Sequence, residues 1–460
     1  MSTSTPIDTA APADVPLREA FWYWFKLGFI SFGGPAGQIA LMHADLVDKR
    51  RWISERRFLH ALNFCMLLPG PEATQLAVYI GWLMHRTRGG IMAGALFVLP
   101  SLFLLIALGW VYLTFGNQPV VAGILYGIKP AVVAIVLAAA FRIGSRTLKN
   151  NWLRGIAVLA FAAIALLHLP FPLIVLVAGL TGWIGGRVRP ELFRLGGSHA
   201  ASATAHAPAL IDDTTPTPAH AHFSPARLAL TGGIGIGLAA ITWTAIALLA
   251  GIDSTLAQLG WFFTKAAMLT FGGAYAVLPY VYQGAVEHYQ WLTAVQMIDG
   301  LALGETTPGP LIMIVAFVGF VGGWTKEIFG AQHLLAAGVI GAFVATWFTF
   351  LPSFVFILAG GPLVESTRRQ HPADRATDGN FSGRGRRHHQ PRGLFCRPRI
   401  PLAGRISTVG LDRDGHHAGC LHRPAALQNR PDQADRRLCV CGPHGIFLRL
   451  IKMHLENPIS

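Results

Sequence analysis

Apolar residues run in long blocks through the first 365 positions, and glycine and proline interrupt them. Blocks such as 90–110 and 120–141 reach the roughly 20 residues needed to cross a bilayer. The pattern predicts membrane spans over 90–113, 119–141, 154–168, 171–186, 226–250 and 334–358. Two earlier blocks have another shape. Over 17–48, two apolar helical arms flank Gly33-Gly34-Pro35. Each arm is about 14 residues, or about 21 Å of helix, short of a hydrocarbon core of roughly 30 Å. This predicts a helical hairpin that enters the membrane and turns back. Residues 58–84 repeat the design around Pro69-Gly70-Pro71.

The breaks return. Phe32-Gly33-Gly34 and Pro69-Gly70-Pro71 recur 239 residues later as Phe271-Gly272-Gly273 and Pro308-Gly309-Pro310. At the same offset Lys26 falls on Lys265 and Trp52 on Trp291. A later echo, Leu99-Pro100-Ser101 and Leu351-Pro352-Ser353, lies at an offset of 252, so the second copy has gained 13 residues. The period is far too long for a solenoid. Gly/Pro-interrupted apolar segments at matching places in two halves point to a transport site.

Composition agrees with a membrane protein: 52% of residues are hydrophobic and 13% charged, against about a quarter charged in soluble proteins. The net charge of +14 belongs mostly to the C-terminal segment, where 366–460 hold 17 Lys/Arg against 7 Asp/Glu. No nucleic-acid partner is implied for the membrane part. Only Cys65 lies outside that segment, so no disulfide framework is expected. Cytoplasmic loops are enriched in Lys/Arg. The stretches 49–57, 86–88, 142–154 and 187–194 are basic, whereas 114–119 and 168–172 carry no Lys or Arg. The first half therefore starts and ends in the cytoplasm. In the second copy, 285–294, the counterpart of the basic 49–57, has no Lys or Arg at all, as expected of halves inserted in opposite orientation.

The expected fold class is an all-α polytopic membrane protein of two homologous halves in inverted topology. Each half has two Gly/Pro-broken helical hairpins plus spanning helices. The expected segments are a disordered start (1–16), a first repeat (17–194), a linker (195–225), a second repeat (226–365) and a basic, non-membrane tail (366–460). The tail has no apolar periodicity where the repeat predicts further helices. An out-of-frame stretch explains this, and a genuine disordered basic tail is the alternative. The linker histidines His199, His206, His220 and His222 lack a defined ligand spacing, so no metal site is assigned.

A Gly-Gly-Pro break in mid-membrane frees backbone N–H groups at the start of the next half-helix, and these with the helix dipole attract an anion. Non-helical backbone at that depth must be buried in protein or line a watery cavity. Close helix packing is the plainer reading of one such break; two matched pairs favour a site built on Phe32, Gly33, Gly34, Pro35, Gly70, Gly272, Gly273 and Gly309. Lys26 and Lys265, six residues before each Phe-Gly-Gly, are candidates to offset an anion's charge, or they snorkel to the headgroups. Glu72 follows Pro71 directly and Glu305 lies three residues before Pro308. Both are candidate proton carriers, although a helix-capping charge also explains Glu72. Gln38, Thr74, Gln75, Thr306 and Thr307 add neutral hydrogen-bonding groups. His43, His60 and His85 read as surface residues near cytoplasmic ends. Walker A, paired CxxC and HExxH motifs are absent from the sequence. The residues thus point to no enzyme and no resident cofactor, and to a carrier of an anion coupled to an ion gradient.

The segments Phe25–Pro35, Leu68–Gln75, Lys265–Pro279 and Gly304–Pro310 resemble the two motifs of the chromate ion transporter (CHR) superfamily, present here in both halves. The resemblance covers about 17–365 and is to the long, two-domain form with antiparallel halves. It implies a multi-pass bacterial inner-membrane transporter that exports chromate, driven by the proton-motive force, and so confers chromate resistance. Sulfate is a tetrahedral dianion of similar size, and no residue separates the two. Sulfate or other oxyanion transport, and an inactive truncated membrane protein, stay open as alternatives. The C-terminus departs from the family. A homodimer is compatible with the sequence and not dictated by it.

Overall fold

A computed structural model describes residues 14–148, 150–167, 169–188, 208–271 and 273–368. The expectations for 1–13, for most of the tail and for His199 and His206 lie outside these residues. Regular structure among them is helical, apart from an isolated bridge between Ile53 and Ile211. The first half contains α1 (Leu17–Ile30), α2 (Gly34–His43), α3 (Glu55–Cys65), α4 (Glu72–Phe115), α5 (Pro119–Thr147), α6 (Asn151–Ala165) and α7 (Phe171–Val188). The second contains α8 (Pro225–Ala250), α9 (Thr255–Leu269), α10 (Ala274–Tyr282), α11 (Ala294–Thr306), α12 (Ile314–Thr325) and α13 (Leu334–Arg368). Long apolar stretches able to cross a bilayer lie in α4, α5, α7, α8 and α13.

The repeat survives in backbone detail. α2 and α10 each run into one π-helical turn, Ala44–Lys49 and Gln283–His288. The next residues reverse the chain with the same left-handed φ of 52° at Arg51 and Gln290. The tryptophan that follows then binds back: the Trp52 N–H donates to Leu46 O and the Trp291 N–H to Ala285 O, both at 2.8 Å. Ser54 caps α3, and Thr293 with Gln296 forms a capping box on α11. These satisfy N–H groups that have no partner within the helix.

Chain reversal after each Pro-Gly-Pro depends on small residues. The span expected to begin near 90 does start there, after a sharp reversal that lies within the range of α4 at the edge of the basic stretch 86–88. The helix is interrupted at His85 and Arg86, which has φ 56°. The two arms then fold back so closely that a Cβ on Gly81 would meet the Gly89 carbonyl, and one on Gly89 the Gly81 carbonyl. In the second half α12 and α13 pack in the same way through Gly319, Gly323 and Gly341. There the reversal uses residues 326–333, which accounts for much of the inserted length. α13 also runs on to Arg368, ten residues past the expected end at 358.

The second arm of α4 and its repeat counterpart α13 lie against each other. Gly94 faces Phe354, Gly90 faces Leu358, and the Phe103 and Phe343 rings are 6.1 Å apart. Position falls along one helix as it rises along the other, so the two run antiparallel. Each helix also crosses into the opposite half. Ile357 and Val364 of α13 are buried among Trp24, Phe58 and Leu76, while Val98, Leu102 and Leu105 of α4 are buried among Phe263, Met313 and Phe317. Leu105 and Ile357 are themselves counterparts at the offset of 252.

Residues 208–224, expected as part of a linker, dock on the first half. Arg57, only 2% exposed, donates to Thr215 O, and His220 donates through Nε2 to the Trp82 carbonyl at 3.0 Å. Arg57 therefore leaves the expected basic loop for the interior. The histidines expected at the surface are partly buried: His43 pairs with Asp48 and Glu55, and His85 donates to the Val15 carbonyl at 2.8 Å.

Candidate functional site

The four chain breaks meet. Pro35 and Gln38 of the first break, Pro71, Glu72 and Ala73 of the second, Ala274 of the third and Pro310, Leu311 and Ile312 of the fourth line one small cavity. Every one of these residues belongs to the beginning of a helix, or of the 3₁₀ turn leading into α12, or precedes it directly. First-turn N–H groups have no acceptor within their own helix, and the helix dipole is positive there. The arrangement gathers positive potential at one point deep in an apolar protein.

The halves hold each other at this point by exchange. The Gly70 N–H donates to Thr270 O and the Gly309 N–H donates to Ser31 O, both at 2.7 Å. Gly70 and Gly309 are counterparts, as are Ser31 and Thr270. The side chains of Ser31 and Thr270 fold onto their own helices, at 2.6 Å from Leu27 O and 2.7 Å from Ala266 O. Gly70 and Gly309 have φ of 122° and 105°, a region in which L side chains are strained. A Cβ at Gly70 would also strike Ser353, and one at Gly309 would lie 2.6 Å from the Ser101 Cβ. Each Pro-Gly-Pro thus docks on the Leu-Pro-Ser serine of the opposite half.

Polar side chains come almost entirely from the first half. Gln38 donates through Nε2 to Gly309 O and, at 3.4 Å, to Ser31 O. Gln75 donates to Pro69 O at 2.8 Å and to Ser353 Oγ at 3.5 Å. At the 239 offset their counterparts are the apolar Val277 and Ile314. Gln38 Oε1, Thr74 Oγ1, Gln75 Oε1 and Ser101 Oγ are buried without a hydrogen-bond partner among the described residues. Such orphaned atoms are rare in native interiors and call for an explanation. The cavity itself is about 10 Å³, scarcely room for one water.

Other expected residues lie elsewhere. Phe32 and its counterpart Phe271 are about half exposed beside the breaks, at 52% and 51%. Gly33 and Gly34 turn the chain between α1 and α2, and Gly273 does so before α10. Gly272 lies outside the described residues. Lys26 is exposed on α1, and the Lys265 ammonium lies 5.6 Å from the Trp261 ring centre, on the wall of a separate cavity near Pro170. Neither lysine lines the space between the breaks. Glu305 accepts from the Tyr275 hydroxyl at 2.7 Å, one residue from Ala274. Thr306 and Thr307 bond the carbonyls of their own helix end. Sequence reasoning left out Ser31, Thr270, Ser101 and Ser353. A signal was there, since each is a small hydroxyl residue kept at one repeat position.

The chromate transporter family model matches residues 18–183 and 257–380, one segment in each half. The chain belongs to the chromate transporter family. It is 31% identical over 369 residues to the chromate transport protein of Cupriavidus metallidurans, covering 79% of this chain and 80% of that one. It is 33% identical over 355 residues to the chromate transport protein of Pseudomonas aeruginosa, covering 76% and 74%. An uncharacterized transporter of Bacillus subtilis is 28% identical over 174 residues, which is 97% of its length and 37% of this chain. That relative is about the size of one half. No solved structure matches the chain. Membership in this family makes the protein a multi-pass membrane transporter and no enzyme.

Proposed function

We propose that the protein exports chromate from the bacterial cytoplasm across the inner membrane as a secondary active transporter driven by the proton-motive force. The observation that carries this is the convergence of four chain breaks, with their first-turn N–H groups, on one buried cavity; the buried Thr74 and Ser101 hydroxyls, without partners among the described residues, are further donors nearby in sequence. A tetrahedral dianion supplies acceptors to the N–H groups and takes a favourable place in the summed dipoles. Relatives named chromate transport protein support chromate as the substrate. Glu72, on the cavity wall, and Glu305, beside it, are the proton carriers of this reading. Lys26 and Lys265, away from the cavity, draw the anion from a distance.

The antiparallel packing of α4 on α13 and the reciprocal Gly70–Thr270 and Gly309–Ser31 bonds support two halves inserted in opposite orientation. Rocking one half against the other would open the cavity to either side in turn. The test is chromate uptake into inverted membrane vesicles with and without an uncoupler. Uptake that the uncoupler abolishes is expected. Sulfate uptake without chromate uptake sinks the substrate assignment, and protein that reaches the membrane yet moves neither anion sinks the transport reading.

A further inference from the structure

At the far end of α4 from its His85–Arg86 reversal, a second cavity of about 380 Å³ is lined by Tyr112, Asn117, Tyr126, Lys129, Gln296 and Asp299, among others. Asp299, on α11, is 3% exposed. The Tyr112 hydroxyl of α4 donates to its Oδ2 at 2.9 Å, and the Lys129 ammonium of α5 lies 2.9 Å from its Oδ1. From the neighbouring α12 it is the Phe317 ring that reaches this corner, packed on Gly300 and Tyr112. Among the described residues, the charged and titratable groups around the carboxylate are thus Lys129, Tyr112 and, across the cavity, Tyr126. A buried carboxylate is costly unless paired, and a hydrophobic residue would fill this corner without that cost. Its place on the wall of a polar cavity gives it access to protons from water.

Asp299 also shares a helix with a residue beside the break site. α11 carries Glu305 six residues on, about 9 Å along the axis, and Glu305 bonds Tyr275 beside the break cavity. The other end of the molecule has a counterpart. At the offset of 239 Asp299 corresponds to His60, and at 252 Tyr112 corresponds to Val364. His60 donates through Nε2 to the Val364 carbonyl at 3.2 Å. In each half, then, a titratable residue of the helix before Pro-Gly-Pro bonds the opposite half's Leu-Pro-Ser helix near its end.

We infer that Asp299 is the proton-loading carboxylate at the outer end of the transporter, with the 380 Å³ cavity as its access from water. The inference rests on the proton-coupled reading above. A proton from water forms an O–H bond on the Asp299 carboxylate. The ion pair with Lys129 breaks, and Lys129 stays protonated. The proton then leaves Asp299 for water admitted as the halves move, which carries it to the Glu305 carboxylate; Asp299 regains its charge, and the pair with Lys129 re-forms. Opening and closing this pair loosens and tightens α5 and α4 on α11, which ties proton loading to movement between the halves.

The experiment compares wild type, Asp299→Asn and the double variant Asp299→Asn/Lys129→Gln in vesicles. The double variant removes the lysine that the single one leaves without a counter-charge. Two rates are read: uphill chromate accumulation under an imposed pH gradient, and chromate–chromate exchange without one. Both variants are expected to lose at least tenfold in accumulation while exchange stays within twofold of wild type. Accumulation at the wild-type level in either variant overturns the inference. So does equal loss of both rates in both variants, which marks a structural role. If wild type exchanges chromate but accumulates none under the gradient, the proton-coupled reading fails and this inference with it. If wild type moves no chromate at all, the transport reading itself is refuted.

Discussion

Gly70→Ala and Gly309→Ala probe the junction between the halves, and the structure says what each costs and what relieves it. A side chain at φ 122° or 105° is strained, at about 1–3 kcal/mol for a poorly populated backbone region. The added methyl then meets Ser353 and the end of the Gln75 side chain in the first case and Ser101 in the second, and overpacking of this kind costs about 1–3 kcal/mol more. Each variant should lose about 2–6 kcal/mol in all. Ser353→Gly should recover the Ser353 share of the steric cost of Gly70→Ala and leave the backbone part and the 2.8 Å contact with Gln75 Nε2. Ser101→Gly should do the same for Gly309→Ala. Neither serine variant should rescue the other glycine. Gly123→Ala and Gly127→Ala in α5 serve as controls, because nothing lies within 4 Å of either position. They should stabilise the helix by about 0.5–1 kcal/mol. Denaturant unfolding of the purified protein in detergent reads all of these. Rescue by the serine of the same half, or by neither, refutes the interlocked junction.

Three further outcomes follow from single contacts. Gln38→Leu leaves the buried Gly309 carbonyl without its side-chain donor, so the junction should lose about 1–3 kcal/mol and chromate uptake should fall at least tenfold at normal membrane levels; full uptake sinks a role for Gln38. Tyr79→Phe removes the hydroxyl that donates to the buried Glu365 at 2.5 Å, and unfolding should show a loss of about 1–3 kcal/mol, whereas an unchanged midpoint sinks it. Burial, aided by Arg86 and Arg227, holds the His220 imidazole below its usual range, with the Trp82 carbonyl and Glu365 pulling the other way. A depressed histidine binds fewer protons folded than unfolded, so its contribution is present above the unfolded value and is lost as pH falls below it, near 6.5. Limited proteolysis within 208–224 should therefore quicken below that pH in wild type and lose that dependence in His220→Gln; equal acid sensitivity in both counts against the account.

Much of this architecture was legible because a bilayer constrains composition strongly. Apolar length and Gly/Pro punctuation mark α4, α5, α7, α8 and α13 directly, and the 239-residue register singles out the breaks before any coordinate. What sequence could not supply was which half meets which. The serines of Leu-Pro-Ser look like helix interior until Gly70 and Gly309 are seen docked on them from the opposite half. Lys26 and Lys265 drew attention as charges at matching positions, yet helical phase turns them away from the break cavity, and phase is lost in a motif read as a string. Asp299 went unnoticed because its counterpart, His60, differs in type and the search was for identity between copies. Residues 208–224 looked like a linker because their composition is polar, while their role is to cover Arg57 and Trp82 at the base of the first half.

The crossing of α4 and α13 into opposite cores has a consequence for biogenesis. Neither core is complete when its own half has been synthesised. Val98, Leu102 and Leu105 wait for partners that begin near Leu256, and Trp24, Phe58 and Leu76 wait for Ile357. The interval between Leu105 and Ile357 is 252 residues, or about 13–50 s at ribosomal speeds of about 5–20 residues per second. For that time the first half stands in the membrane with its seam open, and closure comes only with α13.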